Sequence, residues 1–254
     1  CKLNKIQSAF WERKSPEELY DLTADPHETN NLATNPALRK QLLAMREALY
    51  RNLAATFDVA LLPEGMFHDA AEKHKLTPAE LTRKPELYPL QEIRKAADLL
   101  LNPDLTPNEI TPMLKARLPA QRYWAALACL YLDKKVTESL HDEISSLLED
   151  PSRSVQIAAA EVIVSHSSNQ SAVARALEVL LANSNPAASS AYHAVAALNA
   201  LDHQPQSILE PLKDRILKLP TRDPSVPGRP NGYAGRMHQH ISSPVPDYFK
   251  WEKK

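Results

Sequence analysis

Apolar residues in the first part of the chain fall on two different periods. Glu18-Leu19-Tyr20-Asp21-Leu22 alternates polar and apolar positions, which predicts a half-buried strand with Leu19 and Asp21 on one face and Tyr20 and Leu22 on the other. Asp25-Pro26-His27-Glu28 closes it, because Asp suits the first position of a turn and Pro presets the second at about −65° in φ. The period then lengthens. Leu38, Leu42, Met45, Leu49, Leu53 and Phe57 are spaced by threes and fours and share one face of a helix, for which Asn35-Pro36 supplies the cap and the first turn.

Between 58 and 89 prolines interrupt the pattern, and only Thr77-Pro78-Ala79-Glu80 has the form of a capping box, so the stretch reads as a linker with one short helix. Beyond Leu90 the periodicity is helical almost throughout. Ile93, Ala96, Ala97 and Leu100 form one stripe, and Thr106-Pro107-Asn108-Glu109 is a second capping box before the apolar run 110–118. Three alanine-rich segments follow, starting at Arg122, Gln156 and His193, separated by 34 and 37 residues and each preceded by a more leucine-rich helix. Paired helices at that period predict an α-solenoid, in which each pair buries its apolar face against its neighbours. The segments resemble HEAT repeats. The turn Asp150-Pro151-Ser152 followed by Val155-Gln156-Ile157-Ala158-Ala159-Ala160 matches best, although Gln156 stands where the repeat usually carries Arg; Arg122 supplies that Arg in the preceding unit. An irregular helical bundle is the other arrangement this pattern allows.

Composition sharpens the picture. Gly 4 against Pro 21 fits helices punctuated by proline, and 43% hydrophobic with 24% charged residues is ordinary globular usage. A net charge of −1 without a long basic run argues against a nucleic-acid binder, and no run approaches the roughly 20 apolar residues of a membrane-spanning helix. Two cysteines, Cys1 and Cys129, make no disulfide framework; Cys129 lies in an apolar helical pattern and is expected as a buried reduced thiol. The first residue is Cys and no signal peptide opens the chain, so a piece of a longer protein is expected. After Pro220 the hydrophobic period ends, and 221–254 reads as an irregular tail with Tyr248, Phe249 and Trp251 as candidate anchors.

The string Glu18-Leu19-Tyr20-Asp21-Leu22, Asp25-Pro26-His27-Glu28, Asn31-Leu32-Ala33 resembles the closing signature of type I, formylglycine-dependent sulfatases. Asp58-Val59-Ala60-Leu61-Leu62-Pro63-Glu64, Arg122-Tyr123-Trp124-Ala125-Ala126 and Ala197-Leu198-Asn199-Ala200-Leu201-Asp202 look like segments of bacterial sulfatases extended by HEAT repeats. Together the resemblance covers about residues 11–220. It implies a mainly α chain in which 1–60 ends a sulfatase C-terminal subdomain as strand, turn and helix, 61–89 is a linker, and 90–220 is a solenoid of about three HEAT-like helix pairs. Glu18, Leu19, Tyr20, Asp21, Leu22, Asp25, Pro26, Glu28, Asn31 and Leu32 would be structural signature residues.

In that family a formylglycine made from Cys or Ser in C/S-x-P/A-x-R acts as nucleophile beside a calcium held by Asp and Asn oxygens. The resemblance therefore implies a catalytic domain elsewhere in a parent chain as partner, sulfated carbohydrate through that domain, and a periplasmic or extracellular location. This chain is itself expected to hold no cofactor, catalytic residue or metal site. Glu149-Asp150-Pro151-Ser152-Arg153 has Pro and Arg in the matching places but Glu where Cys or Ser must stand, and Cys1 is followed by Lys2-Leu3-Asn4-Lys5, which does not fit.

The remaining chemistry is sparse. His238-Gln239-His240 has no third ligand at a supporting spacing, and His27 belongs to the signature turn. Asp142, Glu143, Glu149 and Asp150 read as a solvated helix face. Tyr123-Trp124 is an aromatic pair on a repeat helix and a candidate contact surface, with core packing the plainer expectation. Asn169-Gln170-Ser171 has the form of a glycosylation acceptor. The function expected is a non-catalytic C-terminal portion of a sulfatase, its repeats bracing the enzyme or shaping substrate access; a stand-alone solenoid that binds another protein is the alternative.

Overall fold

A computed structural model describes residues 14–102 and 104–220, together with 3, 4, 7, 8 and 235. The expectations for Cys1, Phe10, Trp11, His238, His240 and the aromatic end of the tail lie outside the described residues. The described fold is mainly helical, and among the described residues there is no strand. The chain divides into two compact units, Cys1–Asp58 and Val59–Lys254.

The first unit is one loop and one helix. A 3-10 turn, Pro36–Leu38, leads into α1, Arg39–Thr56. Asn35 caps the turn as predicted, its Oδ1 accepting from the Ala37 N–H at 3.0 Å, and the helix ends where Phe57 takes the left-handed conformation with φ 54°. The predicted apolar face divides lengthwise. Leu42 and Leu53 are buried with Tyr50, whereas Met45 and Leu49 are 53% and 55% exposed. At 100° per residue Leu42, Arg46, Tyr50 and Leu53 fall on one arc and Leu38, Met45 and Leu49 on the arc beside it. Part of a continuous apolar stripe therefore meets solvent.

The predicted strand at 18–22 does not form. A strand needs a partner ladder, and here the Leu19 backbone is satisfied otherwise: its N–H donates to Asn31 Oδ1 at 3.0 Å and its C=O accepts from the Leu32 N–H at 2.7 Å. Asp21 then turns the chain early. Its carboxylate accepts from the Thr23 N–H at 3.0 Å and its carbonyl from the Asp25 N–H at 2.7 Å, a side-chain competition that ends extended structure.

The second unit begins with α2, Glu64–His74, and α3, Pro78–Leu81; α2 is a helix that the linker reading of 61–89 did not include. Then come α4, Leu90–Ala97, α5, Pro107–Leu114, α6, Pro119–Cys129, α7, Lys134–Glu138, and α8, His141–Ser146. The chain continues through α9, Arg153–His166, α10, Gln170–Asn183, α11, Ala191–Asp202, α12, Gln206–Leu209, and α13, Lys213–Leu217. Both capping boxes form: the carboxylates of Glu80 and Glu109 accept from the N–H groups of Thr77 and Thr106 at 2.8 and 2.9 Å. The Thr77 N–H and then its hydroxyl lower the Glu80 carboxyl pKa, and the Thr106 hydroxyl and then its N–H lower that of Glu109.

The alanine-rich helices form the centre of this unit. α9 packs on α6, α8, α10 and α11, and α6 packs in turn on α4 and α5. Ala158, Ala159 and Ala160 on α9, Ala125 and Ala126 on α6 and Ala194 and Ala197 on α11 are all buried, which lets backbones approach closely without forcing rotamers. Larger side chains fill the space between the rows, with Leu81, Ile93, Ile110, Leu114, Ile144 and Leu180 fully enclosed. Helix α2 lies against both α9 and α11.

Candidate functional site

In the first unit residues 17–33 build a hydrogen-bonded loop. Asn31 is its hinge pin: Oδ1 accepts from the N–H groups of Leu19 and Ala33 at 3.0 and 2.9 Å, and Nδ2 donates to the Glu17 carbonyl at 3.1 Å. Asp25 closes the far end, accepting from the N–H groups of Thr29 and Asn30, both at 2.8 Å. These donors, led by the Asn30 N–H, hold its carboxyl below the usual range. The turn Asp25-Pro26-His27-Glu28 forms with the Glu28 N–H on the Asp25 carbonyl at 3.2 Å, and Glu28 takes a left-handed φ of 53°. Arg46 of α1 clamps the loop through a two-pronged ion pair with Glu17, at 2.9 and 2.6 Å.

Leu19 is thus buried, Tyr20 and Leu32 are half-buried, and Glu18, Asp21, Leu22 and Pro26 are exposed. Tyr20 has its hydroxyl pKa raised by desolvation and by Glu18. The structure brings Leu19, Asn31 and Leu32 together and holds Asp25 against Thr29 and Asn30.

In the second unit polar residues at turns between helices join into a ladder. Arg122 on α6 grips Asp150 with Nε and Nη2 at 2.5 and 2.9 Å, and its Nη1 donates to the carbonyls of Ala116 and Arg117 at 2.7 and 3.0 Å. Gln156 continues it, donating to the Asp150 carbonyl at 2.7 Å and accepting from Asn183 Nδ2 at 3.3 Å. Arg153 ends it on Asn183 Oδ1 at 3.3 Å and the Ala188 carbonyl at 3.1 Å. The solvated-face expectation is corrected for Asp150, which is 6% exposed. Asp142 and Glu149 are exposed; Glu149 pairs with Arg175, and half-buried Glu143 pairs with Lys115 at 3.1 Å. Arg122 and Gln156, 34 residues apart on two alanine-rich helices, were the signal for the ladder, and the sequence reading did not join them.

Tyr123 and Trp124 are half-buried against the core and meet edge to face, ring centres 5.6 Å apart. Burial pushes the Tyr123 hydroxyl up to about 12. Trp124 Nε1 donates to the Leu61 carbonyl at 2.9 Å, tying the segment before α2 to α6. Asn169 caps α10, its Oδ1 accepting from the N–H groups of Ser171 and Ala172 at 3.0 and 3.2 Å. Cys129 is a buried free thiol, pushed up to about 12 by burial.

Sequence reasoning passed over two features. Ser190, His193 and Asp69 meet where α2 crosses α11: Ser190 Oγ lies 2.8 Å from His193 Nδ1, and Asp69 Oδ2 lies 3.4 Å from His193 Nε2. Asp69 is within ion-pair distance but not aligned for a hydrogen bond, so Nε2 is buried without a partner. Ser190 also caps α11 by accepting the His193 N–H at 3.2 Å, which accounts for its contact with the ring.

The second is Ser225-Val226-Pro227-Gly228-Arg229, which does satisfy S-x-P-x-R and corrects the reading that the chain holds no such string. It lies outside the described residues, and it follows the signature of 18–33 rather than preceding it. Among the described residues no group of three or more His, Cys, Asp or Glu is arranged to hold a metal ion, and no helix is long and apolar enough to cross a membrane.

Over 64 residues, 25% of this chain, the sequence is 44% identical to the ulvan-active sulfatase of Formosa agariphila. A region of the chain is therefore similar to a sulfatase. The matched stretch spans 11% of that protein's length. No family model and no solved structure matches the chain.

Proposed function

We propose that this chain is the C-terminal portion of a formylglycine-dependent sulfatase whose chemistry resides in a preceding domain. The identity to a sulfatase over 64 residues carries the reading, and the locked signature loop at 17–33 supports it. The half-exposed apolar stripe of α1 also supports it, since Met45 and Leu49 suit a helix that another domain covers. In this reading the alanine-rich helices form a HEAT-like solenoid that braces the enzyme or shapes access to its pocket. The segment from Leu61 through α2 crosses α6, α9 and α11, which fits a brace better than a free scaffold whose repeat face binds a partner.

The parent enzyme would hold calcium and formylglycine in the preceding domain, act on a sulfated polysaccharide such as the ulvan named for its relative, and work in the periplasm or outside the cell. The test measures sulfate release from an aryl sulfate and from ulvan by this chain alone, with the intact mass of the tail read alongside. No release and an unmodified Ser225 are expected. Reproducible turnover, or a loss of two hydrogens at Ser225, would move the chemistry into this chain and overturn the reading.

A further inference from the structure

The contact of α2 with α11 has an unusual centre. His193 is 1% exposed, and its Nε2 is buried with no hydrogen-bond partner. The Ser190 hydroxyl lies 2.8 Å from Nδ1 and can donate or accept there, so in the neutral ring one nitrogen is partnered and the other, Nε2, is not. Nε2 faces the backbone of α2: a Cβ added at Gly65 would lie 2.5 Å from it. Glycine is thus required for the two helices to close, and no space for water remains between ring and helix. One residue earlier on α11, Tyr192 stacks on His68 of α2, centres 4.1 Å apart and planes within 8°. These contacts join α2 to α11 with few alternatives.

A charged imidazole fits this place poorly. The charges around it are Asp69 on α2, with Glu72 beside it; Glu64 at the start of that helix near His68; and Arg153 at the start of α9. Arg153 opposes a second positive charge, and Asp69 is off-axis and half-exposed. We propose that α2 is an acid-sensitive latch on the alanine-rich helices, held while His193 is neutral and released when the ring takes a proton. The inference stands whether or not the sulfatase reading does.

Burial, then Arg153, lowers the His193 pKa from 6.5 to about 4. A ring freed by release returns to its ordinary value and binds protons more readily than the docked ring. Docking is therefore complete above pH 6.5 and weakens as pH falls toward 4. By linkage the docking equilibrium at pH 5 is about 30-fold lower than at pH 8.

The test is hydrogen exchange by mass spectrometry on the full chain between pH 8 and pH 5, corrected for intrinsic rates. Residues 64–74 are expected to lose about 30-fold of their protection while 155–164 keep theirs. His193→Gln, which cannot titrate, should hold constant protection across the range, and His68→Gln should retain the response. Unchanged protection of 64–74 down to pH 5, simultaneous loss across the whole unit, or loss of the response in His68→Gln would each overturn the latch. Should His193→Gln not fold, the ring of the wild-type protein followed by NMR decides, since titration above pH 6 contradicts the proposal.

Discussion

Replacing Arg122 by Ala tests whether the turn ladder holds the helical rows together. The Arg122 and Asp150 side chains are 13% and 4% exposed and meet at 2.5 Å, so the substitution strands a carboxylate in a place water barely reaches. It also removes the donor to the Ala116 and Arg117 carbonyls. Breaking a buried pair from one side costs about 3–5 kcal/mol. For a unit of this size that lowers the melting temperature by about 6–20 °C. Thermal and urea unfolding followed by circular dichroism measure it. Arg122→Met combined with Asp150→Asn should recover much of the loss, because no charge remains buried and the Ser152 N–H keeps its acceptor at Oδ1, now 2.8 Å away. A loss below about 1 kcal/mol in Arg122→Ala would mean that solvent screens the pair and that alanine packing alone orders the rows.

Other substitutions probe the remaining links. Asn31→Ala removes the acceptor of the Leu19 and Ala33 N–H groups and should destabilise the first unit by about 1–3 kcal/mol in urea melts; no change would show that the loop closes without its pin. Lys75 is exposed and ends α2 with φ 55°, so Lys75→Gly should stabilise by about 1 kcal/mol in the same melts, and destabilisation would contradict that geometry. Cys129, pushed up to about 12 from 9.0, should carry about 1,000-fold less thiolate at pH 8 than an ordinary thiol. Iodoacetamide should leave its peptide unlabelled in the native protein, and rapid labelling would disprove its burial.

Helices were the most legible part of this sequence. The capping boxes at Thr77 and Thr106, the Asn35 cap and the alanine-rich rows all follow from side-chain chemistry that acts within a few residues. The strand at 18–22 was not, because alternation says that a segment has two faces but not where its backbone groups go. Here Asn31 and Asp21 take them. Helix α2 was hidden by the prolines that flank it, Pro63 and Pro78, and by its polar residues, since what holds it is Gly65 on His193 and a stacked ring, contacts between segments over a hundred residues apart. Asp150 misled for the same reason. A carboxylate in a turn looks solvated until its partner 28 positions away is brought beside it.

The most direct test of the account is the coding sequence upstream of Cys1. The account predicts that the same reading frame continues upstream and encodes C/S-x-P/A-x-R together with Asp residues able to bind calcium. A start codon immediately before Cys1, with no sulfatase domain in frame, would contradict it.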